Sequence, residues 1–162
     1  MNLPIRYTKI LLVFLTGLWA ATSLFTNLGA LEKTYGALEM VSSMRELGEN
    51  SPPWKTSAPG VIWLGVACLL GGKLVTALLS WTGVRRMWKA RDADSAAFQA
   101  SKTLALLGGW SAVVWLFVGF AYFGEVIFFM YLGETGFNVA ETAFRYAGYI
   151  GLMTLFVGQK DD

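Results

Sequence analysis

The feature that most constrains this chain is a set of four long apolar stretches, at residues 7–28, 58–79, 103–130 and 139–157. A helix that crosses the hydrocarbon core of a bilayer needs about 20 mostly apolar residues. Helices suit this setting because a helix satisfies its own backbone hydrogen bonds in lipid. The sequence therefore predicts an all-α, polytopic membrane protein. We expect a bundle of four transmembrane helices that forms a single integral membrane domain over residues 1–162.

The composition agrees with a membrane protein and excludes several kinds of chemistry. Charged residues make up 15% of the chain, compared with roughly 25% in a soluble domain. The chain has 0 His, which excludes imidazole-held zinc or haem and a Ser-His-Asp mechanism. It has 1 Cys, which excludes an internal disulfide, and its net charge of +2 does not favour nucleic acid. We predict a protein that is not an enzyme, with no catalytic residues, cofactor, metal site or nucleic-acid partner.

Two alternatives compete with four transmembrane helices. The first stretch also resembles a cleaved signal peptide, with Arg6 and Lys9 as its basic region and Ala20-Ala21 as its cleavage site. Its apolar run is longer than a signal core, however, and continues through Phe25. A soluble four-helix bundle would show a charged face on each helix. The first three stretches are apolar all round, which favours the membrane.

Lysine and arginine are concentrated at the two chain ends and between the second and third stretches. Such residues prefer the cytoplasmic side of short loops. The sequence therefore predicts that both termini are cytoplasmic and that the first and third connections are external. The basic residues concerned are Arg6, Lys9, Arg85, Arg86, Lys89, Arg91, Lys102 and Lys160.

The first external connection carries apolar residues at roughly helical spacing. This spacing predicts a short amphipathic helix near residues 31–47, ended by Gly48 and followed by an extended Pro52-Pro53 segment. We expect this helix to lie on the outer membrane surface or to cap the bundle.

Three charged residues lie within the predicted spans. Lys73 is in the second, Glu125 is near the outer end of the third, and Arg145 is near the outer start of the fourth. A charge in the bilayer needs an explanation, because its insertion is unfavourable. For Lys73 we consider either a side chain that snorkels to the headgroups or a cation that faces a polar cavity. Antiparallel helices would bring Glu125 and Arg145 to the same depth, so we predict that they form a structural ion pair.

The segment FGEVIFFMY at residues 123–131, with Phe137-Asn138 and Ala143-Phe144-Arg145 after it, resembles a known family. This is the bacterial family of predicted small integral membrane proteins called domain of unknown function 2165. The similarity extends over nearly the whole chain, although Phe123 and Tyr131 replace the Gly and Trp of the family pattern. The resemblance implies four spans and a bacterial inner membrane, and it implies no particular activity.

Three function classes follow. The first is a non-catalytic accessory or stabilising subunit that contacts membrane lipids and packs against other membrane proteins or copies of itself. The second is a small transporter or channel with a polar path near Lys73, Glu125 and Arg145. The third is an enzyme acting on lipids or quinones, which the scarcity of acid–base groups in the spans disfavours.

Overall fold

Helix covers most of residues 3–161, which are the residues that the computed structural model describes, the side chain of Asn50 excepted. No strand occurs in this part of the chain, which confirms the all-α prediction. In chain order the helices are α1 (Leu3–Gly29), α2 (Leu31–Ser42), α3 (Pro59–Lys89), α4 (Ser95–Ser101), α5 (Thr103–Leu116) and α6 (Glu134–Gly158). α5 continues directly into a π-helical segment, Phe117–Ile127, and short 3₁₀ turns occupy Arg45–Asn50 and Met130–Leu132.

Three helical stretches in the described part of the chain are long and apolar enough to cross a membrane: Leu3–Gly29, Pro59–Lys89 and Ser95–Ile127. They contain the first predicted span, all of the second except residue 58, and all but the last three residues of the third. α3 runs ten residues beyond the predicted end at residue 79, because its basic last turns stay helical. The third stretch begins at Ser95, where the Asp94 side chain caps α4 by accepting a hydrogen bond of 2.8 Å from the Ala97 N–H.

α6 contains the predicted fourth span, residues 139–157, but it is not among these three stretches. Its first half carries Glu134, Glu141 and Arg145, which lower its mean hydropathy. A fourth crossing is therefore still a prediction.

The predicted amphipathic helix is shorter than expected. α2 ends at Ser42, because Met44 adopts a left-handed backbone (φ 50°) and the chain turns there. The Tyr35 ring lies 5.1 Å from the Trp63 ring of α3, so α2 packs on the first half of α3. The extended segment after α2 reaches the end of the π-helical segment, where Trp54 Nε1 donates a 2.9 Å hydrogen bond to the Ile127 carbonyl.

α3 and α5 pack antiparallel along a seam of small residues. A Cβ atom added to Gly83 would lie 2.5 Å from the Ala105 backbone nitrogen, and one added to Gly108 would lie 2.5 Å from Ser80 Oγ. Small residues let two helices approach this closely. Further along the seam the Thr76 and Ser111 hydroxyls are 3.0 Å apart and share a hydrogen bond. This register fixes which residues of α3 and α5 lie at the same depth.

α1 and α6 flank this pair. Ala20 and Ala21 of α1 pack with Ala77 of α3 in a buried alanine cluster. α6 lies against α5, since Thr154 occupies the space next to Gly109. The long helices therefore alternate in direction along the chain.

Candidate functional site

The most unusual feature of the interior is a group of charged side chains at one end of the helices, which we call the cation cluster: Arg6, Lys9, Lys102 and Asp161. The three basic residues are each at most 1% exposed, and the Asp161 side chain is 4% exposed. Side chains of this kind are almost never fully buried unless they are paired. Their contacts therefore decide what this end of the protein does.

The local sequence explains why two of these cations point inward. Arg6, Lys9 and Val13 recur at intervals of three to four residues, so they share one face of α1. All three are buried, as is Ile10 beside Lys9. Lys102 lies at the junction of α4 and α5. The cluster thus draws on the start of α1, the start of α5 and the chain after α6.

Asp161 bridges the two lysines. Lys9 Nζ donates a 2.9 Å hydrogen bond to Asp161 Oδ1, and Lys102 Nζ donates to Asp161 Oδ2. Both amines also donate to the Gln159 carbonyl, at 2.7 Å from Lys9 and 2.8 Å from Lys102. Lys102 makes a further 2.8 Å bond to Gln99 Oε1. The carbonyls at a helix C-terminus carry partial negative charge, so the end of α6 adds to the attraction.

Arg6 binds the connection between α3 and α4. Its Nη1 donates to the Arg91 carbonyl at 2.9 Å and to the Ala93 carbonyl at 2.6 Å. Its guanidinium carbon lies 4.6 Å from the centre of the Phe98 ring, and Lys102 Nζ lies 5.2 Å from the same ring. A cation within about 6 Å of a ring centre is attracted to the ring face. Arg6 Nε is buried without a hydrogen-bond partner among the described residues.

The charges of the described cluster do not balance, since three cations surround one carboxylate. Burial raises the pKa of Asp161, but the hydrogen bonds and charges of Lys102 and Lys9 outweigh burial, so the net effect is a lowered pKa. The carboxylate is thus held in its charged form. With the lysine amines bound to it and to carbonyls, the arrangement fastens helix ends together.

The structure does not bring Glu125 and Arg145 together. They are not among the ion pairs formed by the described residues, and Arg145 instead donates a 3.2 Å hydrogen bond from Nη2 to Thr142 Oγ1. The expectation placed Arg145 near the start of the last helix, but α6 begins at Glu134, so Arg145 lies near its middle, whereas Glu125 lies near the end of the π-helical segment. It also ignored rotation about the helix axis. α6 buries Ala140 and Ala143. Arg145, two residues beyond Ala143, points to the opposite side and is exposed.

Lys73 lies at the middle of α3 and is half-buried. It forms no ion pair with any residue in the described range 3–161. Its charge is therefore not paired with an acidic side chain of these residues.

The cation cluster was missed as a site from the sequence, because Arg6, Lys9 and Lys102 entered the argument only as markers of the cytoplasmic side. One signal was present. Arg6 and Lys9 continue the spacing of the apolar residues Ile10 and Val13, so the face of α1 that packs inward begins with two cations. No comparable signal marked Asp161.

Two cavities in the described structure have volumes of about 20 Å³, beside Met44 and Met130, and about 10 Å³, between Thr16 and Thr154. A cavity needs about 10–15 Å³ of such volume to hold one water molecule. No group of three or more His, Cys, Asp or Glu side chains suited to a metal occurs within residues 3–161.

Apolar helices of spanning length define the class of this protein, an integral membrane protein built from α-helices. A comparison with protein families matches residues 5–160 to the family described as predicted small integral membrane protein (DUF2165). The chain belongs to this family, which confirms the resemblance seen in its motifs. Comparisons with curated proteins and with solved structures found no match.

Proposed function

We propose that this protein is a non-catalytic accessory or stabilising subunit of a larger membrane complex or homo-oligomer. The observation that carries the proposal is the contrast between its interior and its outer surface. The two cavities noted above have volumes of about 20 Å³ and 10 Å³, close to the minimum for a single water molecule. In contrast, only 33%, 28% and 28% of an 18-residue apolar window in each of the three spanning stretches is buried within the chain. Most residues of these windows are therefore at least partly accessible to lipids and to partner proteins.

We further propose that the chain crosses the bacterial inner membrane four times, with both ends in the cytoplasm. The ion pair between Lys9 and Asp161 supports an even number of crossings, because it holds the first helix and the end of the last one at the same side. If only three stretches crossed the membrane, Lys9 and Asp161 would lie on opposite sides of it. We therefore propose α6 as the fourth crossing. α2 then lies at the external surface, at the opposite end of the helices from the cation cluster.

The outward faces carry many large side chains. Leu64 is 65% exposed and Leu152 is 67% exposed, and several tryptophans of α3 and α5 are also exposed. A soluble protein rarely exposes such large apolar patches unless they bind something. In a membrane, lipid covers much of this surface, and a partner helix covers the rest.

Site-specific photo-crosslinking in living cells tests this proposal. A photoreactive residue is placed at one exposed position on each of three helices, Leu64, Val114 and Leu152, and at the buried Ala112 as the matched control. We expect protein adducts from one face only and no intermolecular adduct from residue 112. Lipid adducts alone from every exposed position, together with a monodisperse monomer after mild extraction, would contradict the proposal.

The second candidate function is a small transporter or channel, and Lys73 is the observation that favours it. A half-buried amine at the middle of a spanning helix is typical of polar paths. The small interior cavities argue that such a path would need several copies of the chain. Ion flux in proteoliposomes that is abolished by Lys73→Met and kept by the interfacial Lys89→Met would support this candidate; equal flux in both variants would remove it.

A further inference from the structure

Lys73 is far from either end of its helix. It lies fourteen residues after Pro59 and twelve residues before the exposed Arg85. These separations correspond to roughly 21 Å and 18 Å along the helix axis. The hydrocarbon core is about 30 Å thick, so a helix that places Arg85 at the headgroups places Lys73 close to the bilayer centre. A lysine side chain extends only about 6 Å by its bond lengths, so snorkelling does not bring this amine to the headgroups.

Residues 3–161 offer Lys73 no counter-charge at this depth. Glu125 is the only acidic residue in the three spanning stretches, and the proposed fourth crossing, α6, adds Glu134 and Glu141. The register between α3 and α5 places Gly72 against Trp115. Glu125 is ten residues beyond Trp115, which is on the order of 10 Å or more along the helix. Glu125 and Lys73 therefore lie at different depths. Gly151 of α6 faces Val113 of α5, and Glu141 is ten residues before Gly151. Glu141 is therefore also displaced from the depth of Lys73, by roughly 10 Å.

The same register argues against a second copy as the source of the counter-charge. Copies of a membrane protein that share one orientation keep each residue at a fixed depth. Glu125 of a neighbouring copy would be displaced from Lys73 by the same distance as Glu125 of its own chain. A carboxylate at the depth of Lys73 must come from a different molecule.

We propose that Lys73 forms an ion pair with an aspartate or glutamate on a transmembrane helix of a different protein, at the depth of Lys73. This inference rests on the proposed accessory function and names the chemistry of the partner. Lys73 is half-buried, so part of this residue is accessible from outside the chain. Polar side chains that bond across helices stabilise helix association in lipid, and unpaired charges there are unfavourable. The ion pair therefore stabilises the complex, and it also makes binding specific for a partner with an acidic residue at this depth.

Crosslinking next to Lys73 tests the pair. A photoreactive residue at Leu74, which is 46% exposed, captures the neighbour in cells. Capture is compared among the unchanged chain, Lys73→Met, Lys73→Arg, and Lys89→Met, which removes a lysine from the last turn of the same helix. We expect Lys73→Met to lower capture at least roughly tenfold, and the other two variants to stay within about twofold of the unchanged chain. Size-exclusion profiles in detergent verify that each variant is folded.

The captured protein must also have the expected chemistry. We expect it to carry Asp or Glu near the middle of a transmembrane helix, and its Asn or Gln variant to reduce capture as Lys73→Met does. Exchange of the charges, with Lys73→Glu here and the acidic residue replaced by Lys there, should restore capture. Equal capture by Lys73→Met, or a second copy of this chain as the captured protein, would overturn the inference and leave the accessory function standing. An unchanged chain that captures no protein from any exposed position would overturn both.

Discussion

Replacing Asp161 with asparagine removes the only described carboxylate of the cation cluster while keeping the size of the side chain. In the folded protein Lys9 and Lys102 both bond this carboxylate, and both are at most 1% exposed. After the replacement, three buried cations face carbonyl oxygens alone. We therefore expect Asp161→Asn to destabilise the fold strongly.

The expected magnitude follows from burial. Removal of one partner from a buried ion pair costs about 3–5 kcal/mol, because it leaves an uncompensated charge. Asp161 lies beyond the end of α6, so the chain there can move and admit water to the lysines. We therefore expect Asp161→Asn to lower the free energy of unfolding by about 3 kcal/mol, the lower end of this range.

Detergent-driven unfolding measures this difference. The free energy of unfolding is followed by circular dichroism as SDS is added to protein in mild micelles. Asp92→Asn is the matched control, because Asp92 forms a 3.2 Å ion pair with Arg91 and its side chain is 62% exposed. An exposed pair contributes only about 0–1 kcal/mol. If Asp161→Asn and Asp92→Asn lowered the free energy of unfolding equally, the reasoning that burial makes the cluster stabilising would be refuted.

Three further predictions concern acid, packing and an exposed charge. The lowered pKa of Asp161 gives a stabilisation that is present above its ordinary value of 3.8 and lost as the pH falls through the folded pKa. Acid titration of stability should therefore show a loss that Asp161→Asn lacks. Gly83→Ala should lower the free energy of unfolding by about 1–3 kcal/mol, because its new Cβ would lie 2.5 Å from the Ala105 nitrogen. Gly71→Ala, with no atom within 4 Å of that Cβ, should not lower it. Arg145→Ala should change it by less than about 0.5 kcal/mol, since Arg145 is exposed; a loss as large as that of Asp161→Asn would mean that Arg145 has a buried partner.

The apolar runs were enough to predict the all-helical class and the approximate positions of the first three spans. Their ends were harder to predict, because the basic residues from Arg85 to Lys89 end the apolar run without ending α3. Hydrophobicity locates the part of a helix that lies in lipid, whereas backbone hydrogen bonds and caps determine where the helix stops.

Side-chain pairing was less predictable than the helices. The expected pair of Glu125 and Arg145 relied on depth alone, but α6 begins earlier than expected, so Arg145 lies near its middle, and rotation about the helix axis leaves it exposed. The pair that does form, between Lys9 and Asp161, joins residues 152 positions apart. No local pattern in the sequence announces such a contact, because it depends on how all the long helices pack.

The number of membrane crossings is the claim on which this account depends most, and reporter fusions at the two termini measure it directly. A reporter that is active only in the cytoplasm and one that is active only outside are fused in turn to each terminus of the full chain. Because Lys9 and Asp161 meet at one end of the helices, the account predicts that both termini report the cytoplasm. Termini that report opposite sides of the membrane would contradict it.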